Sequence, residues 1–573
     1  MAAPMVRMLR RRIINISAIN NHSRYVSSGE QIWGSNQDQK KSPTKVISYR
    51  MFMNKRQNEA SRSVLVKINN KHNAETVCRQ LKDVGGVSNA FLYKNILLVE
   101  FEKQDSVKKV LSNLGIAPPP SNPTTLPLES RLLMSTDRDS NSKLYMRKGV
   151  NIQHEQNHQK LDAQKLNEFK SVSEQMEFLH STQKLSEFGL RFGFFASSVI
   201  EEFLSPTFYR CKIEPFGSCV NGFGSQTSDL DLGIYTVSRK KKSGFNVEFM
   251  HSNEYNLGRI HKLLREFLPF LSNLYYVRHA RVPIIKCNLG LMDVTCDLSD
   301  SNLSGSKMSE LLYLYSQLDP RAPPLASIIK VWAYHQGVTK SGPGSWPSNF
   351  MLLMMVIFFL QSKSTLPSIS TIAAALGKKN NVSPVNLSFS LTNIERFVSN
   401  DNRHQTLEEL LVEFFEFYLK FDFKSKGFSL ITGEQLDNVN NSAMYIENPF
   451  VTGHNIATNV KLRNLMIMKD RMESSLKDLK SLDMGIIPLV CGETNVKNRT
   501  KENVLNMASL YTVVSETDSE NSDSNNLTDE MYTDKVTNMD TNTSDESNLT
   551  SDINTPTTES NLTKDQLLER NSV

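Results

Sequence analysis

The sequence has no long hydrophobic run and little cysteine. Its longest apolar segment, Phe350 to Leu360, is too short to cross a bilayer and is typical of a buried helix. The six cysteines form no Cys-x-x-Cys pair and no Cys/His zinc spacing, which excludes a zinc finger and indicates reduced, mostly buried thiols in a non-secretory compartment. Hydrophobic residues make up only 39% of the 573 positions, so we expect part of the chain to be disordered.

The two ends of the chain differ in charge within a mildly basic whole of net charge +6. Residues 1–28 lack acidic residues and carry several arginines among apolar positions. An Arg-rich, Ser-containing, acid-free start is typical of a mitochondrial transit peptide, which we assign together with a basic arm to 1–45. A basic arm for RNA and a nuclear signal at Arg10–Arg12 are the alternatives. The opposite end, 481–573, is acidic and rich in Ser, Thr and Asn, and is predicted to be disordered.

Residues 46–116 have the pattern of a small α+β module. Short β-rich runs and helical segments follow one another in the order β-α-β-β-α, which fits an RRM-like fold. Phe91, Tyr93 and Phe101 are available to stack on RNA bases, although the full aromatic pattern of RNA-binding RRMs is missing. A protein–protein or dimerisation module is the equally supported alternative. The polar segment 117–160, which opens with a proline cluster, is predicted to be a linker.

One motif in the middle of the chain carries the clearest chemistry. A Gly217-Ser218 pair is followed, after ten residues, by Asp229-x-Asp231. In a strand, side chains two apart point to one face, so both carboxylates can share divalent cations. Mg²⁺ is usually held by one or two carboxylates together with substrate phosphates. The Gly-Ser step offers backbone N–H groups and close approach to those phosphates, and the motif therefore predicts a metal-dependent nucleotide-transfer site.

Further carboxylates follow on a later predicted strand pair, Val282–Cys287 and Leu291–Leu298. Asp293 and Asp297 are four residues apart and share one face of a strand, so either could supply a third carboxylate to the first two. From Lys307 onward the pattern is mostly helical.

Several segments together resemble the motifs of one enzyme family. Besides the Gly-Ser and Asp-x-Asp elements, they are Arg281–Lys286 with Cys296–Ser299, Lys330–Ala333, Trp346–Phe350, and Glu447–Phe450 with His454–Asn455. On these segments the chain resembles the non-canonical poly(A) polymerases and terminal uridylyltransferases of the DNA polymerase beta nucleotidyltransferase superfamily. With the transit peptide and the RRM-like module, it is similar to the mitochondrial poly(A) polymerases.

The resemblance implies an α+β architecture. A polymerase-beta-like nucleotidyltransferase palm, a mixed sheet with helices, would occupy 205–300. A mostly helical central domain would comprise 161–204 and 301–480. These would follow the N-terminal RRM-like module and precede the disordered C-terminal tail.

The resemblance also assigns roles to residues. It favours Asp297 as the third carboxylate, and it implies that Asp229, Asp231 and Asp297 hold two Mg²⁺ (or Mn²⁺) ions and activate the RNA 3′-hydroxyl. The remaining assignments concern the nucleotide. Gly217 and Ser218 would cradle its phosphates, Lys330 would pair with them, and Ser348 and His454 are nucleotide contacts, Ser348 being equally suited to cap a helix.

The implied activity is that of a polynucleotide adenylyltransferase. It would add AMP from ATP, without a template, to the 3′ ends of mitochondrial RNAs (mRNA, with tRNA as a second class) in the matrix, as a homodimer with no membrane span. A terminal uridylyltransferase using UTP and a catalytically weak RNA-binding scaffold are the alternatives. Two departures bear on the choice: Tyr334 stands where many relatives have a second basic residue, and a histidine near the position of His454 accompanies uridylyl preference in some cytoplasmic relatives.

Overall fold

The computed structural model describes residues 13–14 and most of 47–490. Within the latter range the undescribed positions are 69–73, 114–130, 136–151, 155–162, 167, 209, 236, 242–246, 252–254, 269, 291, 293, 301, 341, 343, 379–383, 390–403, 440 and 481–484. The described residues all belong to the first of two units into which the chain divides, residues 1–506, whereas the second, 507–573, lies outside them. Apart from Ile13 and Ile14, the predicted transit peptide falls outside the described residues, as does nearly all of the predicted tail.

The N-terminal module is built on one sheet. Its elements are β1 (Ile13–Ile14), α1 (Tyr49–Ser61), β2 (Ser63–Lys67), α2 (Ala74–Val84), β3 (Val87–Tyr93), β4 (Ile96–Phe101), α3 (Gln104–Asn113), β5 (Leu132–Ser135) and β6 (Ile152–His154). The sheet order is β1-β5-β2-β4-β3-β6. From β2 to α3 the elements follow the predicted order β-α-β-β-α, and helices α2 and α3 share an apolar core with the sheet residues that face them.

Aromatic residues of this sheet do not form an open stacking surface. Phe101 lies in the core beneath the two helices and is 0% exposed, while Phe91 points to the opposite face and is 1% exposed. That opposite face packs against other parts of the chain, so of the three aromatics proposed for RNA stacking only Tyr93 is partly exposed. The expectation that Phe91 and Phe101 are available to RNA is therefore wrong for this structure.

A second mixed sheet forms the centre of the molecule. The elements that lead to and build it are α4 (Ala163–Leu166), α5 (Val172–Gln183), α6 (Glu187–Leu204), β7 (Lys212–Phe216), a 3₁₀ turn (Gly217–Cys219), β8 (Leu230–Tyr235), β9 (Val237–Lys241), β10 (Val247–His251), α7 (Tyr255–Phe267), β11 (Leu271–Val277), β12 (Ile284–Leu289) and β13 (Val294–Asp300). Its order is β11-β12-β13-β8-β7, whereas β9 and β10 pair separately as a hairpin. Helices α6 and α7 pack on one face of this sheet, and the opposite face carries the polar residues discussed below.

Most of the rest of the chain is helical. Its elements are α8 (Leu303–Leu318), α9 (Ala322–His335), α10 (Asn349–Ser362), α11 (Ile369–Ala375), a 3₁₀ turn (Pro384–Asn386), α12 (Leu407–Lys420), β14 (Lys426–Ser429), β15 (Glu434–Asp437), β16 (Ile446–Glu447), α13 (Leu462–Lys480) and α14 (Ile487–Val490). Helix α10 is buried all round, as the apolar run predicts. In the part of the chain that the structure describes, no helix is long and apolar enough to span a bilayer. These observations confirm the α+β class.

Strands β5 and β6 of the N-terminal sheet lie within 117–160, the segment expected to be a linker, and pair with β2 and β3. Packing also shifts two of the expected boundaries. Helix α5 contributes to the helical core, but α6 packs in the core of the central sheet, which moves the division from residue 204 to the short connection between α5 and α6. Helix α14 places Leu489 and Val490 in the helical core, so ordered packing extends beyond the expected boundary at 481.

An arginine–glutamate cluster joins the N-terminal module to α6. It consists of Arg56, Arg62, Arg191, Glu59, Glu100 and Glu187. Glu100, on β4, is 1% exposed and accepts hydrogen bonds from both Arg62 and Arg191. Three positive and three negative charges balance one another in this largely buried contact, as burial of charge requires.

Candidate active site

Three charged side chains form a row across the central sheet. Strand register places Lys286 on β12 opposite Asp297 on β13, and Asp297 opposite Asp231 on β8. The Nζ of Lys286 lies 3.4 Å from Oδ2 of Asp297. Asp229, two residues before Asp231, is exposed at the start of β8 and accepts a hydrogen bond from the hydroxyl of Thr295. We call the face that carries these groups the carboxylate face. Three of the predicted residues, Asp229, Asp231 and Asp297, thus converge on it.

Burial and mutual repulsion make the two carboxyl groups of this row, Asp231 and Asp297, costly to ionise. Burial, followed by the charges of Asp297 and Asp229, raises the pKa of Asp231 to about 7. Burial also raises the pKa of Asp297, although the neighbouring Lys286 ammonium opposes that rise. A cation bound between such carboxyl groups stabilises their ionised form and so offsets the cost of ionising them.

The donor set fits a divalent cation. Oδ1 of Asp297 is a buried oxygen that accepts no hydrogen bond from the described residues, which leaves a hard ligand atom available. In the described part of the chain, no group of three or more His, Cys, Asp and Glu side chains is gathered closely enough to enclose an ion by itself. Mg²⁺ does not require such a cage, because it is usually held by one or two carboxylates together with phosphates and water. The site therefore suits an ion that arrives with a nucleotide.

The Gly-Ser step lies directly against the carboxylate row. Gly217 has φ +68°, and a Cβ at this position would overlap the carboxylate Oδ2 of Asp231. Its N–H donates to Oγ of Ser309 over 2.7 Å, which fixes the turn to helix α8. The hydroxyl of Ser218 donates to the main-chain carbonyl of Asp229 over 3.4 Å. The predicted adjacency of the Gly-Ser step and the two aspartates is therefore present.

Lys330 reaches the same loop from helix α9. Its Nζ donates to the carbonyl of Phe223 over 2.9 Å, five residues after Ser218. Burial lowers the pKa of Lys330 to about 8. The nearby His180 has a pKa lowered to about 4, chiefly by burial and then by Lys184 and Lys330. The lysine is thus held beside the Gly-Ser loop by a backbone carbonyl.

The other two predicted contacts lie in the helical region. Ser348 is the N-cap of α10, and its Oγ accepts from the N–H of Met351 over 3.2 Å, so its capping role is observed and its ligand role stays a prediction. His454 follows β16 in a partly buried loop, where burial and the charge of Arg281 lower its pKa. Arg281 belongs to the β11–β12 connection, so a charge carried by the central sheet acts on this loop.

Comparison with known proteins gives concordant results. Residues 172–317 match the family model of the poly(A) RNA polymerase, mitochondrial-like, central palm domain. The mitochondrial poly(A) RNA polymerase of Mus musculus is 31% identical over 437 residues, which cover 72% of this chain and 73% of the relative. The Homo sapiens protein of the same name is 30% identical over 454 residues, covering 75% and 77%.

The chain belongs to the mitochondrial poly(A) RNA polymerase family. The Drosophila melanogaster member is 32% identical over 366 residues, and the match spans 58% of this chain and 59% of the fly protein. The crystal structure of mtPAP in complex with ATPγS matches with a TM-score of 0.67 at 28% identity, covering 78% of this chain and 99% of that chain. The mtPAP complex with UTP matches with the same TM-score at 29% identity, covering 78% and 98%.

Two features of this family member's site were not predicted from its sequence. Lys286 and Thr295 contact the carboxylates. Thr295 is two residues before Asp297 on the same strand and shares its face, whereas Lys286 meets Asp297 only through the register of β12 with β13. A cavity of about 370 Å³ opens beside Asp229, between the β3–β4 turn with Tyr93 and Lys94, helix α6, and the loop before β8. Met292, Val294 and Thr295 also line the cavity, so four separate segments must fold together to form it, which no single motif reveals. Asp293, the alternative third carboxylate, lies outside the described residues.

Substitution of Gly217 by alanine tests the polymerase site, and the same substitution at Gly337 is its control. Gly217→Ala should lower RNA tailing about 100-fold, because the new Cβ displaces the Asp231 carboxylate. Gly337 has φ +69°, and a methyl group added there would meet no described heavy atom within 4 Å, so Gly337→Ala carries the same backbone strain without the clash. Each variant should lose about 1–2 kcal/mol of stability from that strain. Equal tailing by the two variants, measured as kcat on a labelled RNA, would contradict the assigned contact.

Proposed function

We propose that this family member is a template-independent RNA 3′-end nucleotidyltransferase that adds AMP from ATP to mitochondrial RNAs. The observation that most strongly supports this proposal is the row of Asp231, Asp297 and Lys286 beside the Gly217-Ser218 turn. Three relatives in mouse, human and fly are named mitochondrial poly(A) RNA polymerases, which supports both the reaction and the compartment. We place the reaction in the matrix, where mRNA and, as a second class, tRNA would present their 3′ ends.

The proposed mechanism assigns the carboxylates to Mg²⁺ or Mn²⁺. Asp229, Asp231 and Asp297 would hold two ions, which supply charge neutralisation at the triphosphate and lower the pKa of the attacking hydroxyl. Lys286 holds Asp297 in place, and Thr295 does the same for Asp229. With little covalent work for the protein to do, positioning and electrostatics carry the reaction.

The nucleotide contacts complete the proposal. Gly217, which has no Cβ, lets the turn pack directly against the Asp231 carboxylate, and Ser218 presents its hydroxyl at the same turn. Both residues are proposed to lie against the phosphates. Lys330 would move its ammonium from the Phe223 carbonyl to the triphosphate, since a phosphate is the stronger partner for a buried cation. Ser348 and His454 are proposed to contact the nucleotide from the helical region, where the charge of Arg281 also acts on His454.

We propose that the N-terminal module serves assembly, including homodimerisation, rather than base stacking. Its sheet face with Phe91 is covered by α6, and Arg191 of that helix lies 4.6 Å over the Phe91 ring. RNA-binding RRMs need the corresponding sheet face to be accessible, because RNA bases stack on its aromatic residues.

Nucleotide selection is tested by incorporation. Purified full-length chain is incubated with a 3′-unblocked labelled RNA and each NTP in turn, with Mg²⁺ or Mn²⁺. We expect long extension with ATP and little with UTP, CTP or GTP. Binding does not replace this assay, since mtPAP itself has been crystallised with UTP, GTP, CTP and ATPγS. Extension with UTP in preference to ATP would favour a terminal uridylyltransferase, and no extension with any NTP would favour an RNA-binding scaffold.

A further inference from the structure

Tyr275 is an exposed aromatic residue in line with the carboxylates. On β11 it lies opposite Lys286, which in turn lies opposite Asp297 and then Asp231. Tyr275 is 51% exposed. Neighbouring strands are about 4.8 Å apart, so Tyr275 is about 10 Å from Asp297 along the row.

The local backbone directs this ring to the carboxylate face. A register irregularity separates Ser272 from Tyr275 in the β11–β12 pair, and such irregularities re-aim the side chains that follow. The next residue, Tyr276, turns the other way and packs towards α7, with its ring 6.3 Å from that of His261. Tyr276 thus packs against the core, whereas core packing does not explain why an aromatic side chain is present at Tyr275.

The surrounding hairpin is positively charged. Residues 271–289 contain Arg278, Arg281 and Lys286 and no aspartate or glutamate. Arg281 also contributes to the lowered pKa of His454, so the charge of this hairpin acts on the helical region as well. An exposed aromatic within a basic, acid-free strip is the surface that single-stranded nucleic acid uses, with bases stacked and phosphates paired.

We propose that Tyr275 is the stacking platform for a base at the 3′ end of the acceptor RNA. This inference rests on the proposed function, because it supplies the second substrate of the same site. Gly217 and Ser218 lie on the β7–β8 side of the row, where the triphosphate is placed, and Tyr275 lies on the β11 side. The RNA strand therefore arrives over β11 and β12, and its terminal ribose meets the row at Asp297.

Measuring RNA affinity tests the assignment of Tyr275 as a stacking residue independently of catalysis. Fluorescence anisotropy of a labelled oligo(A) with the full-length chain gives its dissociation constant, and steady-state tailing gives KM for RNA and KM for ATP separately. Tyr275→Ala should weaken RNA binding and raise KM for RNA about 5- to 150-fold, the measured range for loss of one base–aromatic stack. KM for ATP should not change. Tyr275→Phe and Tyr275→Trp should retain affinity, since both keep a ring.

Val439→Ala is the matched control, because Val439 is an apolar residue that is 75% exposed and follows β15, a strand that is not part of the central sheet. The inference is overturned if Tyr275→Ala binds RNA with wild-type affinity and has the wild-type KM for RNA. It is also overturned if the substitution changes only KM for ATP, or changes the oligomeric state while RNA binding stays intact. If the wild type binds RNA but tails none, the proposed function fails. A loss of that binding in Tyr275→Ala would still support the stacking assignment.

Discussion

Replacing Asp231 with asparagine lowers the rate of RNA tailing by about a thousand-fold or more, because a metal-stabilised transition state loses several kcal/mol when its ligand charge is removed. Asn has nearly the same shape, so the strand pairing of β8 with β13 should be kept. Single-turnover extension of a labelled RNA by ATP measures the rate.

The same substitution should stabilise the protein in the absence of divalent ions. The pKa of Asp231 is raised from 3.8 to about 7, so the folded state holds this proton where the unfolded chain has released it. Metal-free stability therefore falls as pH rises from about 4 to about 7, and the cost is fully present above that window. At pH 8 we expect Asp231→Asn to gain on the order of 1–2 kcal/mol, reduced from the full linkage value because the carboxylate is partly exposed to solvent. At pH 4 the gain should vanish.

Asp437→Asn is the control for this pair of effects. Asp437 is an exposed carboxylate on β15, ion-paired with Lys426 over 2.6 Å and far in the chain from the row. It should tail RNA at the wild-type rate and show no pH-dependent gain in stability. A thermal melt of Asp231→Asn that coincides with the wild type at pH 8 without metal would contradict the electrostatic account of the row.

Removal of Glu100 has the second largest expected effect, this time on stability. Glu100→Ala leaves three arginines with two glutamates in the arginine–glutamate cluster, and one of the positive charges is then buried without compensation. Loss of one partner of a buried ion pair costs about 3–5 kcal/mol, and we expect the lower end because Arg191 keeps Glu187 and Glu59. Urea unfolding monitored by far-UV circular dichroism measures the change.

A double-mutant cycle separates the ion pair from simple loss of packing. Arg62→Met together with Glu100→Gln removes one charge of each sign, so the double variant should be more stable than the sum of the two single losses predicts. Arg265→Ala breaks an exposed pair with Glu266, in which both side chains are more than half exposed, and should cost less than about 1 kcal/mol. Strict additivity in the cycle would show that the cluster does not act through charge balance.

The carboxylate site could be predicted from the sequence largely because strands alternate sides. Asp229 and Asp231 had to share a face, and the parallel pairing of β13 with β8 then brings Asp297 opposite Asp231. The choice between Asp293 and Asp297 came from family resemblance, since four-residue spacing leaves both on one face. The predicted buried helix around Phe350–Leu360 is confirmed for a similar reason, because a continuous apolar run has no polar face to expose.

The remaining features depend on contacts between distant segments. Phe91 is buried because α6, about a hundred residues later, covers its sheet face, and a local pattern carries no information on that contact. Lys330 meets the Phe223 carbonyl and Ser348 caps α10, although neither partner is implied by the motif. Tyr275 and Tyr276 are adjacent and chemically identical, and only the register irregularity on β11 decides which one faces the carboxylates.

Metal binding at the carboxylate row is the central claim, and Mn²⁺ titration monitored by electron paramagnetic resonance tests it most directly. The full-length chain is titrated with Mn²⁺ in the presence of a non-hydrolysable ATP analogue, alongside Asp231→Asn and Asp437→Asn. We expect two bound ions per chain for the wild type and for Asp437→Asn, and at least one fewer for Asp231→Asn. Equal stoichiometry and affinity in all three proteins would contradict the assignment of Asp231 to the metal site.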